Sequence, residues 1–151
     1  MKIEIYSHSN GDKIVDKIIK DQLLQVLEDS NFKIREGCSN ELRKNILTKL
    51  KSFGWSDDFM LDANSQISLT SYIDEHILCF QTGNMSRFYA DLLKIQYVFK
   101  KKKAKAAIYI IPSKDAAKIM GSNIANFDRF TFELNLFKEI ITIPTIVIGI
   151  N

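Results

Sequence analysis

Two strongly apolar runs, separated by helical segments, constrain the fold of this chain more than any other feature. The first, AKAAIYIIP, covers residues 104–112, and the second, TIPTIVIGI, covers residues 142–150. Strands that are apolar at every position are typical of parallel sheets whose two faces are both covered by helices. The segments around these runs show helical spacing of apolar residues. The pattern therefore predicts an α/β fold with a mixed β-sheet core flanked by helices.

The rest of the chain predicts further elements around this core. A short alternating strand, KIEIY, precedes one long helix over residues 7–30 and a possible strand at FKIRE. A helix then begins at Ser39, which we expect to cap it, and ends at Gly54. Three more helices are predicted: a long one over MSRFYADLLKIQYVFKKK, a short one capped by Ser113, and an apolar-rich one within residues 122–140.

Size and composition are those of one globular domain. The 151 residues are 46% hydrophobic and 26% charged, which is enough for a single domain over residues 1–151 with its own core. No apolar run reaches the roughly 18 residues that span a bilayer, and the N-terminus has no signal-peptide pattern. Cys38 and Cys79 form no CxxC motif. We therefore expect a cytoplasmic protein without membrane contact, in which both cysteines are reduced thiols.

The positive charge of the chain is concentrated in one place. The net charge is only +3, but Lys100, Lys101, Lys102 and Lys103 form a dense basic stretch, flanked by Lys94 and Lys105. Two interpretations remain open. The lysines can be a solvated helix end, where positive charge suits the helix dipole, or they can be a patch that contacts phosphate.

The stretch ILCFQTGN has the pattern of a buried strand that delivers polar groups to a site. A β-like run over residues 66–73 and a polar turn at residues 74–76 precede it, so the segment predicts a β-hairpin. Residues whose numbers sum to 149 or 150 then face each other, which places Cys79 opposite Thr70 or Ser71. Gln81 shares the face of Cys79, because strand side chains alternate.

Other catalytic motifs are absent from the sequence. There is no GxxxxGK[ST], GxGxxG, HExxH or GxSxG pattern. His76 is three residues from Cys79, which places the two side chains on opposite faces of a strand. A thiol-dependent enzyme therefore lacks an adjacent base, and Cys79 is expected to be a buried structural cysteine.

The chain resembles the BglII/BstYI-type restriction endonucleases, a branch of the PD-(D/E)xK nucleases. The similar segments follow one another along nearly the whole chain: IEIYSHSNG, LRKNILTKLKSFGW, FQTGNMSRFYADLLK, IYIIPSKDAAKIMGSNIANFDRF and IPTIVIGI. The resemblance implies a restriction-endonuclease-like fold and Mg²⁺-dependent cleavage of double-stranded DNA by a homodimer.

The resemblance also implies which residues form the active site. The family's active strand carries Glu-x-Gln, with an aspartate earlier in the hairpin. Gln81 matches the glutamine, but the glutamate position holds Cys79, and the aspartate position holds Thr70 or, after a slip of one residue, Ser71. Both metal carboxylates are therefore replaced by groups that suit Mg²⁺ poorly.

Asp74 and Glu75 are the acids nearest to this position in the sequence. They can rebuild a site, with Asp74 as the candidate metal ligand, or they can be turn residues in solvent. Mg²⁺ is expected as a cofactor only if the protein cleaves DNA, and otherwise no cofactor is expected.

The positions that resemble DNA-contacting residues of the family are Asn84, Arg87, Ser122 and Asn123. An asparagine amide can pair with adenine in the major groove, but Asn84 can also cap a helix. Arg87 can reach phosphate or pair with an acid, and Ser122 and Asn123 can contact DNA or cap the helix that follows. His8 can line the site or lie in the core.

Two functional hypotheses follow from these residues. The first is a restriction-endonuclease-like protein that binds double-stranded DNA and cleaves it weakly or not at all. The second is a non-catalytic DNA-binding or dimeric interaction module on the same fold. Residues 127–137 contain more apolar side chains than one helix face needs. Either this helix is central in the fold or part of it packs on a partner, and we favour a homodimer contact.

Overall fold

The computed structural model describes residues 1–151 and contains one five-stranded sheet and one two-stranded sheet. No helix in it combines the length and the apolar character that a membrane crossing requires. In chain order the elements are β1 (Ile3–His8), α1 (Gly11–Ile14), α2 (Lys17–Glu28), α3 (Ser39–Lys51), β2 (Phe59–Met60), β3 (Ser68–Leu69), β4 (Ser71–Ile73), β5 (His76–Phe80), α4 (Arg87–Lys100), β6 (Ala106–Pro112), α5 (Lys114–Met120), α6 (Phe127–Leu136) and β7 (Thr145–Ile150).

The large sheet has the strand order β1-β7-β6-β5-β4. Its three central strands run parallel, and each edge strand is antiparallel to its neighbour. Every residue of β6 and β7 is buried, because α2 and α3 cover one face of the sheet and α4 and α6 cover the other. The predicted mixed α/β fold is confirmed, and the two apolar runs are its central strands.

Alternate residues of β5 enter two separate cores. Leu78 and Phe80 pack with α2 and α3, whereas Ile77 and Cys79 pack with α4 and α6. In the second core the Phe130 ring stacks on the Tyr109 ring, with 4.1 Å between the ring centroids. The alternation also places His76 and Cys79 on opposite faces of the strand, as predicted.

The first long helix of the prediction is interrupted in the structure. Its chain becomes extended at Val15 and Asp16, which separates α1 from α2. The buried ring of His76 explains the break, because its Nε2 accepts a hydrogen bond from the Asp16 backbone N–H at 3.1 Å. Its Nδ1 donates to the Asp74 carbonyl at 2.7 Å. The Asp16 N–H is therefore bonded to the buried His76 ring and is not available for the hydrogen bond that a continuous helix would require.

Two smaller predictions were wrong. The FKIRE segment is not a strand; Phe32 and Ile34 lie half-buried against the core without pairing to a sheet. Ser39 does not cap α3, because its Oγ donates instead to the Thr82 carbonyl at 2.9 Å. The cap expected at Ser113 is present, and its side chain accepts a hydrogen bond from the Ala116 N–H.

His8 is a buried core residue at the end of β1. Its Nε2 donates to the Ile141 carbonyl at 2.6 Å. Burial lowers the pKa of His8, and the hydrogen bond opposes this shift only partly.

The lowered pKa of His8 predicts a loss of stability in mild acid. Below pH 6.5, the usual pKa of the side chain, the unfolded chain binds a proton at this position more readily than the folded chain. The free energy of unfolding should therefore decrease as the pH falls through this value, by at most about 1.4 kcal/mol per pH unit. Urea unfolding at several pH values, compared with His8→Gln, isolates this contribution. Identical pH slopes for the two proteins would contradict it.

Candidate functional site

The predicted hairpin is interrupted at Thr70. Before this residue β3 pairs with β2 in the small sheet, and after it β4 pairs with β5 in the large sheet. Ser71 faces Leu78, so the same register continued by one residue sets Thr70 opposite Cys79. The Thr70 Oγ1 accepts a hydrogen bond from the Phe80 N–H at 3.1 Å. Ser71 is buried and does not line the cavity described below; its Oγ donates to the Ser56 carbonyl at 2.6 Å.

A polar cavity of about 510 Å³ lies where β5 ends and α4 begins. It brings together Thr70, Cys79 and Gln81, which the sequence placed on one face of the hairpin. Its walls come from α3, from the segments around residues 58 and 68–70, from the end of β5 and from α4. The lining residues are Ser39, Asn40, Arg43, Asp58, Ser68, Leu69, Thr70, Cys79, Phe80, Gln81, Thr82, Gly83, Arg87, Ala90, Asp91 and Lys94.

Asp91 is the acidic residue that reaches deepest into this cavity, with only 15% of its side chain exposed. Its Oδ2 accepts hydrogen bonds from the Gln81 Nε2 at 2.7 Å and from the Tyr109 hydroxyl at 2.9 Å. Its Oδ1 lies 3.6 Å from the Lys94 Nζ. The Gln81 Oε1 accepts from the Gly83 N–H at 2.9 Å. Both polar atoms of the Gln81 side chain are therefore held, the Nε2 by Asp91 of α4 and the Oε1 by the loop that precedes α4.

The Cys79 thiol is held in its protonated form. Burial raises the pKa of Cys79 well above its usual value, and the negative charge of Asp91 raises it further, while Lys94 and Arg43 only partly oppose the shift. The nucleophilic form of cysteine is the thiolate. A protonated thiol without a histidine neighbour on its own face does not support the thiol-enzyme hypothesis.

Asp74 and Glu75 do not reach the cavity. They form the exposed hairpin turn, with φ values of 42° and 63°, at the opposite end of β5 from Gln81. Gln81 is six positions beyond Glu75 along the strand, or about 20 Å away at 3.3 Å per position. The structure therefore gives Asp74 no partner for a metal site at the cavity.

The four lysines at positions 100–103 lie at that same distant end of the sheet. The Tyr72 hydroxyl donates to the Lys103 carbonyl at 3.0 Å, and the Lys105 N–H donates to the Glu75 carbonyl at 2.8 Å. The lysines follow the C-terminus of α4, where their charge suits the helix dipole. The structure does not bring them to the cavity.

The remaining predicted residues form one exposed polar rim beside the cavity. Asn84 pairs with Ile124 in an isolated β-bridge, so the segment around Asn84 lies against Ser122 and Asn123. The Asn84 Oδ1 accepts from both the N–H and the Oγ of Ser86, the residue that precedes α4. The Nδ2 of Asn84 and the guanidinium of Arg87 make no hydrogen bond in the structure, so both are free to contact a ligand.

The donors in the cavity do not fit a divalent cation. No group of three His, Cys, Asp or Glu residues in the structure could hold a metal ion. Three cations line the cavity, namely Arg43, Arg87 and Lys94, against the two carboxylates of Asp91 and Asp58, which leaves a formal charge of +1. Mg²⁺ prefers several oxygen anions at once, and the oxygens of Asp91 already face neutral donors and an ammonium.

Sequence reasoning missed Arg43, Asp58 and Asp91, and it did not connect Lys94 with the site. The available signal was on the polar side of α4, where Arg87, Asp91 and Lys94 recur at helical spacing and so share one face. Arg43 carried no comparable signal, because α3 is far from this segment in the sequence.

The mixed sheet, with a polar cavity where β5 passes into α4, has the fold of a restriction-endonuclease-like protein. A family model described as "Endonuc-BglII: Restriction endonuclease BglII/BglIII" matches residues 3–150. The chain belongs to this family, as the sequence resemblance predicted.

Solved structures that share this fold include two of BglII. The crystal structure of restriction endonuclease BglII complexed with a DNA 16-mer has 13% identity and a TM-score of 0.89, covering 99% of this chain and 76% of that chain. The crystal structure of free BglII has 15% identity and a TM-score of 0.78, covering 100% of this chain and 80% of that chain. No curated protein matches the sequence. At these identities the structures show a shared fold.

Proposed function

We propose that this protein binds double-stranded DNA and cleaves it weakly or not at all. The second part is supported by the cavity itself: the positions that the family resemblance assigns to the metal carboxylates are Thr70 and Cys79, a hydroxyl and a thiol whose pKa is raised by burial. Neither group attracts Mg²⁺ as an oxygen anion does. The family is generally Mg²⁺-dependent, so the replacement removes what its reaction needs.

DNA binding is supported by the family and by the rim beside the cavity. The BglII structure with TM-score 0.89 is a complex with DNA. Asn84, Arg87, Ser122 and Asn123 are exposed together, and they supply donors and acceptors for bases and phosphates. We propose the cytoplasm as the compartment, since Cys38 and Cys79 are buried free thiols.

Fluorescence anisotropy with mixed-sequence duplexes tests the proposed function. We expect binding in EDTA that weakens steeply with salt, as phosphate contacts require, and no cleavage after Mg²⁺ or Mn²⁺ is added. Arg87→Gln should weaken binding, whereas Lys118→Gln, a 69% exposed side chain on α5, should not. Cleavage that depends on Mg²⁺ would contradict the loss of the metal site, and the absence of any binding would contradict DNA recognition.

A dimeric interaction module is the second candidate, and an exposed apolar face favours it. Phe132 and Leu136 are 70% and 65% exposed on α6, and Leu93 is 68% exposed on α4. The Tyr89 hydroxyl donates to the Glu133 carboxylate, which places the two helices side by side. We propose that this face joins two copies of the chain.

Sedimentation of Phe132→Glu/Leu136→Glu tests the dimer. We expect a dimer for the parent protein and a monomer for this variant, because a buried carboxylate opposes association. The control is Ile18→Glu, which changes an equally exposed residue on α2. A monomeric parent protein would contradict the homodimer without affecting the proposal on DNA binding.

A further inference from the structure

Three cationic side chains meet in the cavity with few acceptors to receive their hydrogen bonds. The guanidinium groups of Arg43 and Arg87 make no hydrogen bond and no ion pair in the structure. The ammonium of Lys94 has one partner, the Asp91 Oδ1 at 3.6 Å, and it is only 28% exposed. Arginine presents five N–H donors and lysine three. The cavity therefore contains many cationic donors without a matching anion.

Asp91 neutralises only part of this charge, through its ion pair with Lys94. Both of its hydrogen bonds come from neutral donors, the Gln81 amide at 2.7 Å and the Tyr109 hydroxyl at 2.9 Å. These contacts fix the carboxylate against the sheet. Asp58 lies on the outer side of the cavity, exposed, and makes no ion pair with any cation.

Arg43 is the cation whose position requires an explanation. It is partly buried, and its guanidinium lies 5.6 Å from the centre of the Phe80 ring. Burial lowers its pKa, and the more distant carboxylates of Asp91 and Asp58 oppose this shift. A partly desolvated charge without a hydrogen-bonded partner is unfavourable. An anion bound in the cavity would remove this cost.

We infer that the cavity binds a phosphate group of the DNA backbone directly through Arg43 and Lys94, without a divalent metal ion. A guanidinium matches the oxygens of a phosphate in pairs, and lysine contributes a point charge. Arg87, at the rim, is placed to contact the same strand. The inference rests on the proposed DNA binding and names the group that the cavity recognises. In this chain side-chain cations take the place of the metal that the family implies.

Nuclear magnetic resonance of the ¹⁵N-labelled protein tests the inference with two probes. In EDTA and at constant ionic strength, inorganic phosphate should shift the Gln81 side-chain amide and the backbone amides of residues 79–83. Arg43→Gln and Lys94→Gln should each weaken phosphate binding about tenfold, the effect of losing one charge-assisted hydrogen bond. Asp91→Asn should strengthen it, because one negative charge is removed. Lys118→Gln is the matched control. Mg²⁺ alone should shift none of these signals.

Several outcomes would overturn the inference. One is that phosphate leaves the cavity signals unchanged while Mg²⁺ moves them. Another is that Arg43→Gln and Lys94→Gln keep the parent affinity for phosphate, with thermal melting confirming that both variants are folded. If duplex DNA still binds in either case, the inference fails while the proposed function stands. If phosphate binds in the cavity but no duplex does, DNA recognition fails while the phosphate site stands.

Discussion

Replacing Thr70 by Asp and Cys79 by Glu together is expected to create a Mg²⁺ site. Thr70 and Cys79 lie opposite each other in the hairpin register, so the two new carboxylates would face the same part of the cavity. The change lowers the formal charge of the cavity from +1 to −1 and supplies the oxygen anions that Mg²⁺ prefers. Isothermal titration calorimetry should detect Mg²⁺ binding by the variant and none by the parent protein.

The same variant should depend on Mg²⁺ for its stability. Cys79 lies in a core cluster, so a glutamate there is unfavourable without a cation. We expect a lower melting temperature in EDTA that recovers when Mg²⁺ is added. At a Mg²⁺ concentration one hundred times the dissociation constant, the free energy of unfolding should rise by about 2.7 kcal/mol. Thr70→Asn/Cys79→Gln is the uncharged control and should show no recovery. If the charged variant binds no Mg²⁺, the assignment of residues 70 and 79 to the carboxylate positions is wrong.

Asp91→Ala is expected to cause a large loss of stability through the cavity network. The change leaves the buried Tyr109 hydroxyl and the Gln81 amide without their acceptor, and it leaves Lys94 without its counter-charge. A hydrogen bond to a charged group contributes about 1.5–3 kcal/mol. The two together should lower the free energy of unfolding by roughly 3 kcal/mol or more, measured by urea denaturation.

Two comparisons establish that this loss comes from the network. Asp115→Ala removes a carboxylate that is 77% exposed and paired with Lys118, and it should change the stability by no more than about 0.5 kcal/mol. Asp91→Asn keeps an acceptor of the same shape and should cost less than Asp91→Ala. Equal effects of Asp91→Ala and Asp115→Ala would show that the carboxylate does not hold the cavity together.

Local patterns in the sequence predicted the sheet and part of the cavity. The two apolar runs became the central strands, and the polar turn at Asp74 and Glu75 set a hairpin register close to the one observed. Alternation along β5 placed Cys79 and Gln81 on one face, and both line the cavity. These features depend on residues that are neighbours in the chain or directly across one turn.

Nearness in the sequence did not determine which charged residues reach the cavity. Asp74, Glu75 and the lysines at positions 100–103 lie at the end of the sheet away from Gln81, because β5 and β6 run parallel and both begin there. Arg43 reaches the cavity from a helix that lies far earlier in the chain. The long first helix was predicted as continuous because its break depends on the buried ring of His76.

The sequence by itself determined the family and the apolar centre of the sheet. The family follows from the successive segments that resemble its members, and the central strands follow from apolar runs that a single segment carries. Only the tertiary structure decided which charges share the cavity. Arg43, Asp91 and Lys94 meet there because α3 and α4 pack against opposite faces of the sheet and both reach the end of β5. Charges interact according to their distance in the folded chain, and the spacing of residues along the sequence does not give that distance.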